Sequence, residues 1–111
     1  MITVKIERAS SGRLLRFSVS GHAGFDDPGK DIVCAGVSAV TVGAVNAVEK
    51  LTGLVPKAKM RKGWLHAEAP AGADPESDRK AQLLLEGMVA QLETIADEYG
   101  TYVQIKEVIQ P

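Results

Sequence analysis

The chain holds one cysteine, Cys34, and two histidines, of which His22 lies a short loop ahead of it. A thiol and an imidazole that meet make a nucleophile and its base: the thiolate attacks an electrophilic carbon, and the imidazole takes up the thiol proton and returns it to the leaving group. Both fall within Gly21–Ser38, GHAGFDDPGKDIVCAGVS. Asp31 reads as a helix N-cap, its carboxylate accepting the orphan N–H groups of the first turn. Cys34 then takes the third helical position, where unpaired N–H groups and the positive end of the helix dipole favour an anion such as a thiolate. First-turn N–H groups are also suited to an oxyanion. The negative charge of Asp31 opposes a thiolate unless it points at His22 and holds an imidazolium, so Asp31 is a candidate third member. Ser38, one turn after Cys34 on the same face, is a candidate hydrogen-bond donor.

The same residues admit plainer readings. A lone cysteine at the start of an apolar helix is also a small buried hydrophobe, and a histidine after a strand is also a turn residue. Cys34, His22 and one aspartate supply at most three metal ligands, and the CxxC spacing of structural zinc is absent. The loop lacks the GxxxxGK[ST] phosphate pattern, and Asp26, Asp27 and Asp31 would repel phosphate. Neither a metal nor a cofactor is expected.

The elements that must position these groups follow from periodicity. Ile2, Val4 and Ile6 alternate with polar residues, as do Leu15, Phe17 and Val19, about a Ser10-Ser11-Gly12 turn; this predicts a hairpin that delivers the chain to Gly21-His22. Gly24, Pro28 and Gly29 exclude a regular element between Ala23 and Lys30. Val33, Val37, Val40, Ala44, Val48 and Leu51 follow helical spacing to a C-terminal Gly53. The small residues Ala35, Gly36, Ala39, Gly43, Ala44 and Ala47 on that helix permit close packing or a dimer seam. Strands are predicted over Val55–Arg61 and Trp64–Ala69, joined near Lys62-Gly63. Asp74-Pro75 starts a second helix, with the stripe Ala81, Leu84, Leu85, Met88, Leu92, Ile95 and Tyr99 ending at Gly100. A last strand covers Tyr102–Val108. The order ββαββαβ predicts one α+β domain over residues 1–111, a five-stranded mixed or antiparallel sheet with two helices on one face.

Composition bounds the function. A net charge of −1 argues against bulk nucleic-acid binding, leaving room for a local basic patch. One cysteine forms no internal disulfide, and MITVKIERAS reads as a strand rather than a signal peptide, so a cytoplasmic location is expected. The uncharged stretch Ile32–Val45 is too short to span a bilayer and reads as a core helix.

Gly21-His22-Ala23, then Gly29-Lys30-Asp31-Ile32-Val33-Cys34-Ala35, then Val37-Ser38-Ala39 resemble the signature of the bacterial ribosomal-processing cysteine protease family, Prp. The resemblance extends over nearly the whole chain in length and element order, with this stretch diagnostic. It implies a homodimeric cysteine endopeptidase that removes a short N-terminal extension from the precursor of large-subunit ribosomal protein twenty-seven. It implies that His22 and Cys34 are the catalytic pair, that Asp31 assists, and that a mobile loop including Ala23, Gly24, Phe25, Asp26 and Asp27 orders over the peptide, with Gly21 as its hinge. Two departures stand out: Gly36, where relatives often carry alanine, and the spacer Gly24–Pro28. The acidic residues of that loop suit a basic peptide through charge attraction, and equally suit a solvated loop.

Lys57, Lys59 and Arg61 share one face of a predicted strand with Lys62 beside them, and Trp64, His66 and Glu68 share a face of the next. A solvated sheet face accounts for them; contact with RNA or an acidic partner is the sharper reading. The alternative function is therefore a non-catalytic, ribosome-associated or RNA-binding protein that uses the Lys57–Lys62 strand.

Overall fold

The computed structural model describes all residues, 1–111. Seven elements run in the order β1 (Ile2–Ala9), β2 (Leu14–Ser20), α1 (Ile32–Thr52), β3 (Lys57–Arg61), β4 (Trp64–Glu68), α2 (Pro75–Glu98) and β5 (Val103–Gln110). They form one five-stranded sheet of order β3-β4-β2-β1-β5. Neighbours pair antiparallel except β1 with β5, which are parallel. A parallel pair needs a crossover, and α2 supplies it by carrying the chain from β4 to the opposite edge.

Both helices lie on the face presented by Ile2, Val4 and Ile6, which are buried with Phe17, Leu65, Ala67 and Val103. From α1 the core receives Val33, Val37 and Val48, and from α2 it receives Ala81, Leu85, Met88, Val89 and Leu92. Leu51 was expected in this stripe but is exposed near the end of α1, beyond the cover of the core. Although α1 is long and apolar enough by composition to cross a membrane, its buried valines belong to the core of this sheet. The capping expectations are met. Asp31 is extended and caps α1, and Gly53 closes it at φ 76°. Asp74 caps α2 with Pro75 in the first turn.

One strand departs from its expected phase. A bulge in β2 pairs Arg8 with Leu14 while Glu7 pairs with Arg16, so Leu15 is skipped. The extra residue shifts the alternation by one, and Leu14, not Leu15, is the fully buried residue. The Gln82 side chain holds this irregular start, accepting from the Leu14 N–H and donating to the Leu14 carbonyl, both at 2.9 Å. Nearby, Arg8 donates to Glu86 of α2 at 2.8 Å, and Arg13 grips Asp78 at 2.7 and 2.9 Å. Hydrogen bonding from these guanidinium groups holds the Glu86 and Asp78 carboxyls below the usual carboxylate range. Together these contacts fasten α2 to the β1–β2 hairpin.

The bulge makes a simple prediction. Leu14→Ala is expected to cost about 2–5 kcal/mol in chemical denaturation, as a truncation in a packed core does. Leu15→Ala is expected to cost less than half of that. Equal losses would contradict the register.

Candidate active site

The strand β2 ends at Ser20, and the backbone turns sharply at Gly21, which has φ 89°. A Cβ here would stand 2.4 Å from the Met1 carbonyl oxygen, and the Gly21 N–H donates to the Gly63 carbonyl at 3.0 Å. Gly21 is therefore pinned between the chain start and the β3–β4 turn. The expected free hinge is instead a tight crossing that admits no side chain.

This crossing aims His22 over that turn. A Cβ on Gly63 would come 2.8 Å from His22 Nε2, so the imidazole occupies the space that glycine leaves open. Gly63 also has φ 73°. Reading the sequence assigned Gly63 to a connector alone, and its Lys-Gly turn chemistry was the available signal. What the sequence does not display is the approach of a histidine distant in the chain.

Cys34 sits half-buried in the first turn of α1. Its Sγ accepts from the backbone N–H of Ala23 at 3.3 Å, a contact that supports negative charge on sulfur. His22 and Cys34 line one cleft of about 180 Å³ with Ser38, Val42, Met60 and Leu65. They also line the adjoining open groove, whose walls include Gly24, Asp26, Pro28 and, from the β3–β4 turn, Lys62. The imidazole is exposed, and the hydrogen bond at Sγ is that of Ala23.

Asp31 caps α1 as expected, but its second oxygen turns to the loop backbone and not to His22. Its Oδ1 accepts from Val33 and Cys34 N–H, both at 3.0 Å, and its Oδ2 accepts from Phe25 at 2.9 Å and Asp26 at 3.3 Å. The carboxylate is thus spent on four backbone donors, and none of its contacts is to His22. It also occupies the first-turn N–H groups of Val33 and Cys34 that the sequence offered to an oxyanion; the amide directed at the sulfur comes from the loop instead. The N–H of Cys34 is the largest influence holding the Asp31 carboxyl below its usual range, followed by those of Asp26, Phe25 and Val33, with partial desolvation opposing them.

The loop is anchored at its other side by Phe25. The ring stands edge-on to Tyr99 and Tyr102, with centroids at 5.8 and 5.2 Å, the preferred geometry for aromatic pairs. Ala23 is buried, whereas Gly24, Asp26 and Asp27 are exposed. Of the acidic loop residues, Asp26 and Asp27 are exposed and Asp26 lines the groove with Lys62, while Asp31 is buried.

A half-buried thiol in the first turn of a helix, sharing an open cleft with an imidazole, is an arrangement that thiol enzymes use. Comparison with known proteins agrees. The sequence pattern of the family "Cysteine protease Prp" matches residues 1–104. The chain is 46% identical over 101 residues to the ribosomal processing cysteine protease Prp of Bacillus subtilis, covering 89% of this chain and 90% of that one. Its fold matches a crystal structure of a ribosomal processing protease Prp from S. aureus in complex with a covalently linked product peptide, with a TM-score of 0.87 at 34% identity, over 97% of this chain and 100% of that one. A Streptococcus mutans protein, SMU.848, matches with a TM-score of 0.83 at 31% identity over 99% of this chain and 96% of that one. The chain belongs to the cysteine protease Prp family, and it is a cysteine protease; the non-catalytic alternative gives way to this.

Two predictions follow from the packing. Gly63→Ala should lower peptidase turnover at least tenfold by displacing His22, while Gly12→Ala should leave turnover unchanged. Gly12 has φ 93° but open space at its Cβ, so it carries the same backbone strain without the collision; equal loss in both variants would refute the steric account. Asp31→Asn should strip hydrogen-exchange protection from the Phe25 and Asp26 amides. Because the folded carboxyl is depressed, the wild-type protection should be fully present above about pH 4, the ordinary carboxylate value, and fade as pH falls through the lower folded value. Protection that is equal in the two proteins would contradict the clamp.

Proposed function

We propose that Cys34 is the nucleophile and His22 the general base and acid of a peptide-bond hydrolysis. The observation that carries this reading is the shared cleft, with the Ala23 N–H 3.3 Å from the Cys34 sulfur. His22 is exposed, and its side chain turns onto Sγ when peptide enters, since catalytic hydrogen bonds often tighten only in the substrate complex. It accepts the thiol proton. The thiolate attacks the scissile carbonyl carbon, and the C–N bond breaks as His22 protonates the departing amine. Water, deprotonated by His22, then splits the thioester to a carboxylic acid and the free thiol. The Ala23 amide lies beside the sulfur, where the oxyanion of the tetrahedral intermediate forms. Asp31 acts through the backbone by holding that loop amide and the first turn of α1 together. Ser38 lines the same cleft and contributes a hydroxyl there. No step calls for a cofactor.

The substrate we propose is the precursor of large-subunit ribosomal protein twenty-seven, trimmed at its N-terminal extension in the cytoplasm. Support comes from the names of the relatives, which process a ribosomal component, and from the covalently linked product peptide of the S. aureus relative. The apolar wall of Val19, Val42, Met60 and Leu65 beside Cys34 suits an apolar side chain next to the cleaved bond. Asp26 and Asp27 suit basic residues further out. A homodimer is proposed through the outward face of α1, where Ile32, Ala35, Ala39 and Gly43 are exposed and uncharged; such a face gains by being covered.

Mass spectrometry of the precursor tests the reading. The wild type is expected to release one N-terminal fragment, Cys34→Ala none, and His22→Ala the same fragment about 10²–10⁴-fold more slowly, the ordinary worth of a general base. Cleavage that survives Cys34→Ala would overturn the assignment.

A further inference from the structure

We infer that the sheet face turned away from the helices is a binding surface for single-stranded RNA, which meets the peptide cleft only at Arg61 and Trp64. That face is uncovered by either helix, and its β3–β4 half carries an unusual concentration of groups. Lys57, Lys59 and Arg61 stand in a row on β3, all exposed. Their cross-strand partners on β4 are Glu68, His66 and Trp64 respectively. The Trp64 and His66 rings lie 9° from parallel with centroids 6.0 Å apart. The Arg61 guanidinium lies 5.3 Å from the centre of the Trp64 ring. Trp64 therefore has two planar neighbours, Arg61 across on β3 and His66 along β4.

The charge of this row is free. All six ion pairs of the protein involve other cations, so Lys57, Lys59 and Arg61 neutralise no carboxylate. Glu68 is the sole acidic residue in this half of the face and sits at its far end, opposite Lys57. The near-neutral total charge, which argued against nucleic acid, hides this segregation: acidic groups cluster instead in the loop at Asp26, Asp27 and Asp31 and along α2. A second copy of the chain is disfavoured on this face, because like rows of cations would meet. An acidic peptide satisfies the lysines but leaves the Trp64–His66 stack without purpose. Single-stranded nucleic acid uses both, its phosphates against the lysines and a base extending the stack, the combination that non-specific single-strand binders employ. Duplex is excluded by the same logic, since its bases are already stacked. The choice of RNA over DNA rests on the proposed role in ribosomal processing; the face itself does not.

Trp64 is the only tryptophan, so its fluorescence reports stacking directly. A labelled single-stranded RNA of mixed sequence is titrated into the wild-type protein, with anisotropy and tryptophan emission followed together. The expected result is saturable binding with quenching of Trp64, and a slope of log affinity against log salt of about −2, as three neutralised phosphates give. The double variant Lys57→Glu/Lys59→Glu should bind at least tenfold more weakly, and His66→Ala should bind without full quenching, both retaining wild-type peptidase activity and melting temperature. Binding without any change in Trp64 emission, or equal affinity for a polyglutamate peptide, would overturn the proposal in favour of a general anion surface. Tighter binding of the matching DNA strand would overturn the assignment to RNA. Since peptidase activity is read separately, failure here leaves the Cys34 mechanism standing, and loss of that mechanism leaves this surface standing.

Discussion

Everything at the cleft depends on one carboxylate. Asp31 takes four backbone N–H groups, two from the start of α1 and two from the loop ahead of it. An N-cap ordinarily satisfies the helix alone. Here the second oxygen is extended to Phe25 and Asp26, so the loop and the helix are fixed relative to each other by a single side chain. The consequence reaches the sulfur, because the Ala23 N–H that meets Cys34 belongs to the loop so held. Burial supports the arrangement. Asp31 keeps 8% of its residue surface exposed, and burial of its carboxylate is tolerable when bonds lost to water are replaced by directed donors.

The remainder of the fold holds the two ends of this clamp in place. Phe25 fastens the loop to Tyr99 and Tyr102 at the end of α2 and the approach to β5. Gly21 and Gly63 permit three segments to cross where a single Cβ would not fit. The sheet separates two chemistries. Its covered face forms the core and, at one end, the apolar wall of the cleft; its bare face carries unpaired cations and the Trp64–His66 stack, and reaches the cleft at Arg61 and Trp64. A chain with almost no net charge thus gathers unpaired cations on one sheet face.

Much of this was legible in the residues because it is local. The alternation of Ile2, Val4 and Ile6, the Asp31 and Asp74 caps and the closing Gly53 each depend on neighbours a few positions away, and the strand and helix order followed from them. The place of Cys34 in the first turn was legible for the same reason. The bulge at Leu15 was not, since alternation alone cannot show a residue that the partner strand skips. Nor were the loop partners of Asp31: its type suggested a cap and a histidine, and beyond the cap the backbone of Phe25 and Asp26 took the second oxygen. Gly63 and the Phe25–Tyr99–Tyr102 cluster join positions far apart in the chain. They become visible only once β5 has been laid beside β1 and the β3–β4 turn beside Gly21. The segregation of charge to one sheet face is also a three-dimensional property, hidden by a total of −1.

In the proposed mechanism the clamped loop and His22 make Cys34 a reactive thiol. The most direct test is the second-order rate of Cys34 alkylation by iodoacetamide at neutral pH, in the wild type, Asp31→Asn and His22→Ala, with folding checked by circular dichroism. A wild-type rate at least ~10-fold above that of an unactivated cysteine is expected, reduced in both variants while the fold persists. A slow wild-type thiol, indifferent to either substitution, would contradict that mechanism and return Cys34 to the role of a small packed side chain.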